Sequence, residues 1–175
     1  MIRVIQAHPV PESFSGVLLD AVVAGVRDGG VEPVVTRLGD GREPGPTAAD
    51  LIGTTALHLV YPTWWGGQPA VLLDWIQRTL APWIDDDVAS TRSPLADVTH
   101  LAAVTTHGSS KLVNRLQGEP GRHLVTRVLA RLCHPDVTTD WVAFYGIERS
   151  SDAELRAFLD RVRREVRLTI VGGSR

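Results

Sequence analysis

Thr55-Ala56-Leu57-His58-Leu59-Val60-Tyr61 runs directly into Pro62-Thr63-Trp64-Trp65-Gly66-Gly67. The first seven residues are almost wholly apolar and read as a strand buried in a parallel sheet. Two adjacent tryptophans immediately after such a strand are costly in a loop unless they cover something. Gly66 and Gly67 let the backbone approach a ligand closely or take positive φ. Pro69 suits the first turn of a helix, and Val71, Leu72, Trp75, Ile76 and Leu80 then share one apolar face. The competing explanation for the tryptophans is a lid on the core or a contact between subunits.

The same alternation extends in both directions. Towards the N-terminus, Ile2 to Ala7 reads as a strand, Ser15 to Arg27 as a helix stopped by Asp28-Gly29-Gly30, and Val31 to Leu38 as a second strand. Gly39-Asp40-Gly41 is a turn, and Thr47 caps a short helix through Leu51. Towards the C-terminus, Ala81 to Asp97 has no clean period and contains Asp85-Asp86-Asp87, which reads as an irregular excursion. Thr99 to Thr106 is the fourth strand, Gly121 to Cys133 a helix and Val137 to Tyr145 the fifth strand. Ser151 and Glu154 are spaced as a capping box for a last helix carrying Leu155, Phe158, Leu159, Val162 and Val166. Five strand–helix alternations without a repeat predict one α/β domain, residues 1–170, with 171–175 a flexible tail.

In such folds ligands bind beyond the carboxyl ends of the strands, near the topological switch point. Three loops there are unusual. His8-Pro9-Val10-Pro11-Glu12-Ser13-Phe14-Ser15 is stiffened by prolines and gathers hydroxyls at a helix N-terminus, a ready site for a phosphate. Taken singly, Ser13 or Ser15 is equally well a helix cap. Pro62 to Trp65 offers aromatic walls and backbone amides. Thr105-Thr106-His107-Gly108-Ser109-Ser110 lets N–H groups and hydroxyls converge on an acceptor. It is not a P-loop, and no Gly-x-Gly-x-x-Gly follows the first strand. Together the loops describe a ligand with a phosphate at one end and a flat heteroaromatic ring at the other, which flavin mononucleotide satisfies.

On these residues the chain resembles the flavodoxin-like NAD(P)H:quinone oxidoreductase family, which includes quinone reductases and the ancillary flavoproteins of potassium-efflux systems. Ala7 to Ser15, Tyr61 to Ala70 with Trp75-Ile76-Gln77-Arg78, and Thr105 to Ser109 followed by Leu116-Gln117-Gly118 carry the likeness. The resemblance implies a flavodoxin-like three-layer sandwich with a five-stranded parallel sheet in the order 2-1-3-4-5. It implies that His8, Ser13, Phe14 and Ser15 hold the flavin phosphate and ribityl chain. Pro62, Thr63, Trp64 and Trp65 then contact the isoalloxazine, and Thr105, Thr106, His107 and Gly108 its pyrimidine edge. The activity implied is ping-pong transfer of a hydride from NAD(P)H to FMN, with FAD as the alternative, and then to a quinone. A homodimer is implied as well. The alternative function is a flavin-binding regulatory subunit of a potassium-efflux-type transporter. Some members place a proton-managing Tyr and His in the stretch that here reads Asn114 to Pro120. That departure leaves His107 as the candidate catalytic group.

Composition excludes other classes. Of 175 residues, 43% are hydrophobic and 22% charged, with a formal charge of −2, which gives no reason to expect nucleic acid or an anionic membrane. No apolar run approaches the roughly 20 residues of a membrane span. No signal peptide is evident and Cys133 is the one cysteine, so a cytoplasmic location and a packing role for Cys133 are expected. Six scattered histidines make no metal pattern. His58 is expected to be a hydrogen-bonded core residue, and Arg149, Arg161, Arg163, Arg164 and Arg167 to be solvated.

Overall fold

The computed structural model describes residues 1–10, 13–39, 44–84 and 92–172. Its centre is a five-stranded, all-parallel sheet in the order β2-β1-β3-β4-β5, from β1 (Ile2–Ala7), β2 (Val34–Leu38), β3 (Ala56–Thr63), β4 (His100–His107) and β5 (Thr138–Tyr145). Every residue of β1 and β4 is buried, as strands covered on both faces must be. One face is packed by α1 (Phe14–Asp28) and α6 (Asp152–Gly172), through Leu18, Leu19, Val22, Phe158 and Val162. The other is packed by α3 (Ala70–Leu80) and the segment after β4, through Leu72, Trp75, Leu80, Val125 and Leu129. α1 and α6 cross closely at Gly25, where a Cβ would lie 2.6 Å from the Arg163 carbonyl oxygen.

Local chemistry explains most boundaries. Thr47 and Asp50 form a reciprocal capping box on α2 (Ala48–Leu51), and Ser151 with Glu154 does the same at the start of α6, which supplies N–H groups that a helix cannot satisfy itself. The strand expected from Val31 begins three residues later. Pro33 has no N–H for the ladder, and the Val31 N–H turns back to Val26 at the end of α1. β3 runs two residues beyond the apolar stretch, so Thr63 pairs with His107 at the carboxyl edge.

The helix expected over Gly121 to Cys133 is broken. α5 (Pro120–His123) widens into a π turn over Leu124–Val128 and tightens to a 3-10 turn over Leu129–Leu132. Gln68 Nε2 donates to the Gly121 carbonyl at 2.9 Å and so competes for an acceptor of the helix ladder. A further helix, α4 (Lys111–Leu116), precedes it. Periodicity does not reveal it, because its apolar residues Leu112, Val113 and Leu116 point outward and Asn114 inward.

Arg163 is not simply solvated: it forks onto Asp28 with bonds of 2.5 and 2.9 Å, tying α6 to α1. Cys133 packs as expected, with burial pushing its thiol up to about 12. α6 continues to Gly172, past Ile170. The Asp85-Asp86-Asp87 run, Asp40, Gly41, Arg42 and residues 173–175 lie outside the described residues. No helix among the described residues is long and apolar enough to cross a membrane.

Candidate active site

The carboxyl ends of β3 and β4 open on a cavity of about 480 Å³, lined by residues that include Thr63, Trp64, Trp65, His107, Gly108 and Asn114. β1 delivers its loop beside it, where the His8 ring meets Trp64 edge to face at 5.3 Å between centroids. Thus the three loops singled out in the sequence meet at one edge of the sheet.

The loop after β1 ends at Ser13, the N-cap of α1. Ser13 makes no side-chain cap bond, and the first turn carries no acidic residue. The Ser13 and Ser15 hydroxyls are both buried and have no hydrogen-bond partner among the described residues. A cap would satisfy helix N–H groups, so the capping explanation fails. Buried hydroxyls are ordinarily paired; two unpaired ones at a bare helix N-terminus match the acceptor oxygens of a phosphate. His8 folds onto its own loop, Nδ1 2.9 Å from Val10 N. Phe14 begins α1 and is half-buried.

After β3, Trp64 and Gly67 exchange backbone hydrogen bonds of 3.0 and 2.9 Å around Trp65 and Gly66. Both central residues have positive φ, +54° and +80°, the pattern of a type I′ hairpin turn, which favours Asn-Gly over Trp-Gly. Trp65 is fully exposed and Trp64 partly so; neither closes the core. Among the described residues the only non-glycine residues with positive φ are Trp65 and Glu119. Both border this region, and strain of this kind gathers at functional sites.

β4 supplies a buried polar cluster. Thr105 and Thr106 are enclosed in the sheet, and the Thr105 hydroxyl is 2.9 Å from that of Thr63, so its side chain is committed to the protein. His107 is buried, with Nδ1 2.7 Å from Asn114 Oδ1 and Nε2 3.4 Å from Thr63 Oγ1. Its ring stacks on Tyr145 at 4.5 Å and 18°. The Tyr145 hydroxyl donates to Glu119 Oε1 at 2.7 Å. Burial lowers the His107 pKa, while Asn114 and Glu119 pull it upward. Tyr145's bond holds the Glu119 carboxyl below its usual range against burial, with Arg122 assisting. Burial raises the Tyr145 phenol, and Glu119 raises it further.

Asn114, Tyr145 and Glu119 were not legible as members of this cluster. Asn114 registered only as a departure from the family, and nothing in the spacing joins Tyr145 to His107. Pairing of β4 with β5 does so, placing them opposite each other.

The fold and its loop-built pocket define a doubly wound α/β protein of the flavodoxin type. The chain belongs to the family described as flavodoxin-like fold, whose profile matches residues 1–166. A search of curated protein sequences gives no match. Among solved structures it is similar to an NAD(P)H:quinone oxidoreductase from Methanothermobacter marburgensis, with 21% identity, TM-score 0.70 and 96% of each chain covered. It is similar to Smu.1420 from Streptococcus mutans UA159, with 21% identity, TM-score 0.71, and 95% of this chain and 99% of that one covered. It is also similar to an FMN-dependent NADH-azoreductase from Bacillus anthracis, solved with FMN, with 10% identity, TM-score 0.70 and 99% of both chains covered.

Proposed function

We propose that the chain is an FMN-dependent NAD(P)H oxidoreductase that reduces a quinone or a related acceptor by two electrons. The observation that carries this reading is the pair of buried, unpartnered hydroxyls of Ser13 and Ser15 at the bare N-terminus of α1. They sit on the loop that touches Trp64. Ser13, Ser15, His8 and Phe14 would hold the phosphate and the chain beyond it. Pro62, Thr63, Trp64 and Trp65 would face the ring, and Thr105, Thr106, His107 and Gly108 would border its polar edge, Thr105 through Thr63. Bound FMN supplies hydride acceptance and donation; the protein orients it and excludes water. The names of the similar proteins support FMN and a quinone or azo acceptor. FMN is preferred to FAD because the binding groups described here account for one phosphate and one flat ring. A cytoplasmic location agrees with NAD(P)H as the donor.

A homodimer is part of the proposal. Trp65, Leu112, Val113 and Leu116 are exposed on the Trp turn and on α4, beside the cavity that Asn114 and Gln117 line. Exposed apolar residues gathered around a site are a common mark of an interface, and a second copy would cover them. The regulatory-subunit alternative has no observation in its favour, whereas His107 lines the cavity and carries Tyr145 stacked on its ring.

The test is the absorbance spectrum of the purified protein, the mass of the released cofactor, and bleaching by NADH and by NADPH. A protein that stays colourless and refuses FMN on reconstitution sinks the reading. Trp64→Ala and Trp65→Ala are each expected to weaken flavin retention more than folding.

A further inference from the structure

The hydrogen bonds around His107 run in one direction only. Asn114 Nδ2 is 2.9 Å from the Ser110 carbonyl oxygen, 3.4 Å from that of Ser109 and 2.8 Å from Ser109 Oγ. Carbonyl oxygens accept and never donate, so the Asn114 amide must present its NH₂ to them. Its oxygen is thereby turned to His107 Nδ1, 2.7 Å away. Since that oxygen only accepts, Nδ1 carries the hydrogen, and Nε2 keeps its lone pair. The Thr63 hydroxyl then donates to Nε2 and accepts from Thr105, which satisfies both hydroxyls.

We propose that Asn114 is the positioning residue that fixes His107 as a neutral Nδ1–H imidazole with Nε2 as its basic atom on the cofactor cavity. The stacked Tyr145, tethered by its hydroxyl to Glu119, holds the ring plane. The inference deepens the oxidoreductase reading and rests on it for its chemical purpose. Reducing a quinone with NAD(P)H consumes two electrons and two hydrogens. One hydrogen travels as the hydride and the second must arrive as a proton. His107 protonated on Nε2 releases that proton and returns to the neutral form that Asn114 selects. Solvent then reprotonates Nε2 through the open cavity. An amide in this place, rather than a carboxylate, orients the ring without strongly raising its basicity. The site thus keeps a proton donor that empties and refills readily.

The first test is ¹⁵N NMR of the His107 ring in the cofactor-free full chain, above its titration midpoint. The expected result is the Nδ1–H tautomer; the Nε2–H tautomer overturns the proposal. The second is a titration of two variants. Asn114→Asp places a charge on Nδ1 and is expected to raise the His107 midpoint by about one unit or more, whereas Asn114→Ala lowers it. The acid limb of acceptor reduction is expected to move with each midpoint. Folded variants with an unmoved midpoint overturn the proposal, because a purely structural Asn114 would change stability and leave the titration alone. A chain that refuses FMN overturns the oxidoreductase reading, and the ring measurements on the cofactor-free protein still decide the positioning of His107.

Discussion

The sheet holds two buried histidine clusters, and they are built differently. At the carboxyl edge His107 has a partner for each ring nitrogen, Asn114 and Thr63, and sits against a cavity. Further back, on the face covered by α1 and α6, His58 is fully buried and neither of its nitrogens has a partner among the described residues. The expectation that His58 is a hydrogen-bonded core residue is therefore half corrected: it is core, and it is unbonded. Its neighbour His100, 5.5 Å away between centroids, does have partners, with Nδ1 3.1 Å from Thr138 Oγ1 and Nε2 3.5 Å from Asp140. Burial pushes His58 down to about 3, helped by His100. Burial lowers His100 too, against the pull of Asp140. The contrast teaches that burial alone silences a histidine. Directed partners and access to a cavity are what make one usable.

The largest effect expected from breaking this contrast lies at the carboxyl edge. Hydrogen bonds to a charged group are worth about 1.5–3 kcal/mol each, so Ser13→Ala with Ser15→Ala should weaken FMN binding by about 100-fold or more. Folding stability should barely move, because the fold itself uses neither hydroxyl; fluorescence quenching of FMN and chemical denaturation measure the two. Equal losses in both would return these serines to a structural role.

Next comes His58. The unfolded chain protonates it near 6.5 and the folded chain only near about 3. The folded pKa is depressed, so the stability is full above 6.5 and is lost as pH falls through that window, at about 1.4 kcal/mol per unit. His58→Leu removes this dependence and an unpaired polar group. At about pH 4.5 it should exceed the parent by about 3 kcal/mol in thermal or denaturant unfolding, from this titration alone. FMN affinity is unchanged. A variant that loses stability at every pH shows that His58 has a partner after all.

Trp65→Gly sharpens the comparison from the loop side. A non-glycine residue in left-handed backbone costs about 1–2 kcal/mol, so the variant should gain roughly that in stability while flavin retention or self-association falls. Gel filtration and flavin titration separate the last two. Ser151→Ala gives the smallest effect, a loss of about 0.5–1 kcal/mol from removing an ordinary exposed cap. It sets the scale for a hydroxyl that already has its partners.

Much of this was legible in the residues. β1, α1 and α3, together with the Thr47 and Ser151 caps, follow from apolar period and local chemistry, because both act over a few neighbouring residues. Ser13, Ser15 and the tryptophan turn were legible as oddities, since each breaks a local rule. α4 was not, because its apolar side faces outward and its buried residue is an asparagine. The broken helix after Pro120 was not either, because the bond from Gln68 to Gly121 spans 53 residues.

By itself, then, the sequence determined the alternation of strands and helices and the three loops that meet at the candidate site. Hydrophobic period, helix caps and turn residues act locally and are written in order along the chain. Only the tertiary structure decided how the polar groups are partnered. It left Ser13 and Ser15 unbonded, set Tyr145 against His107 across β4 and β5, and turned the Asn114 amide by two carbonyls of the preceding turn. Those outcomes depend on which atoms end within 3 Å of one another, a property of the folded chain that spacing along the sequence does not encode.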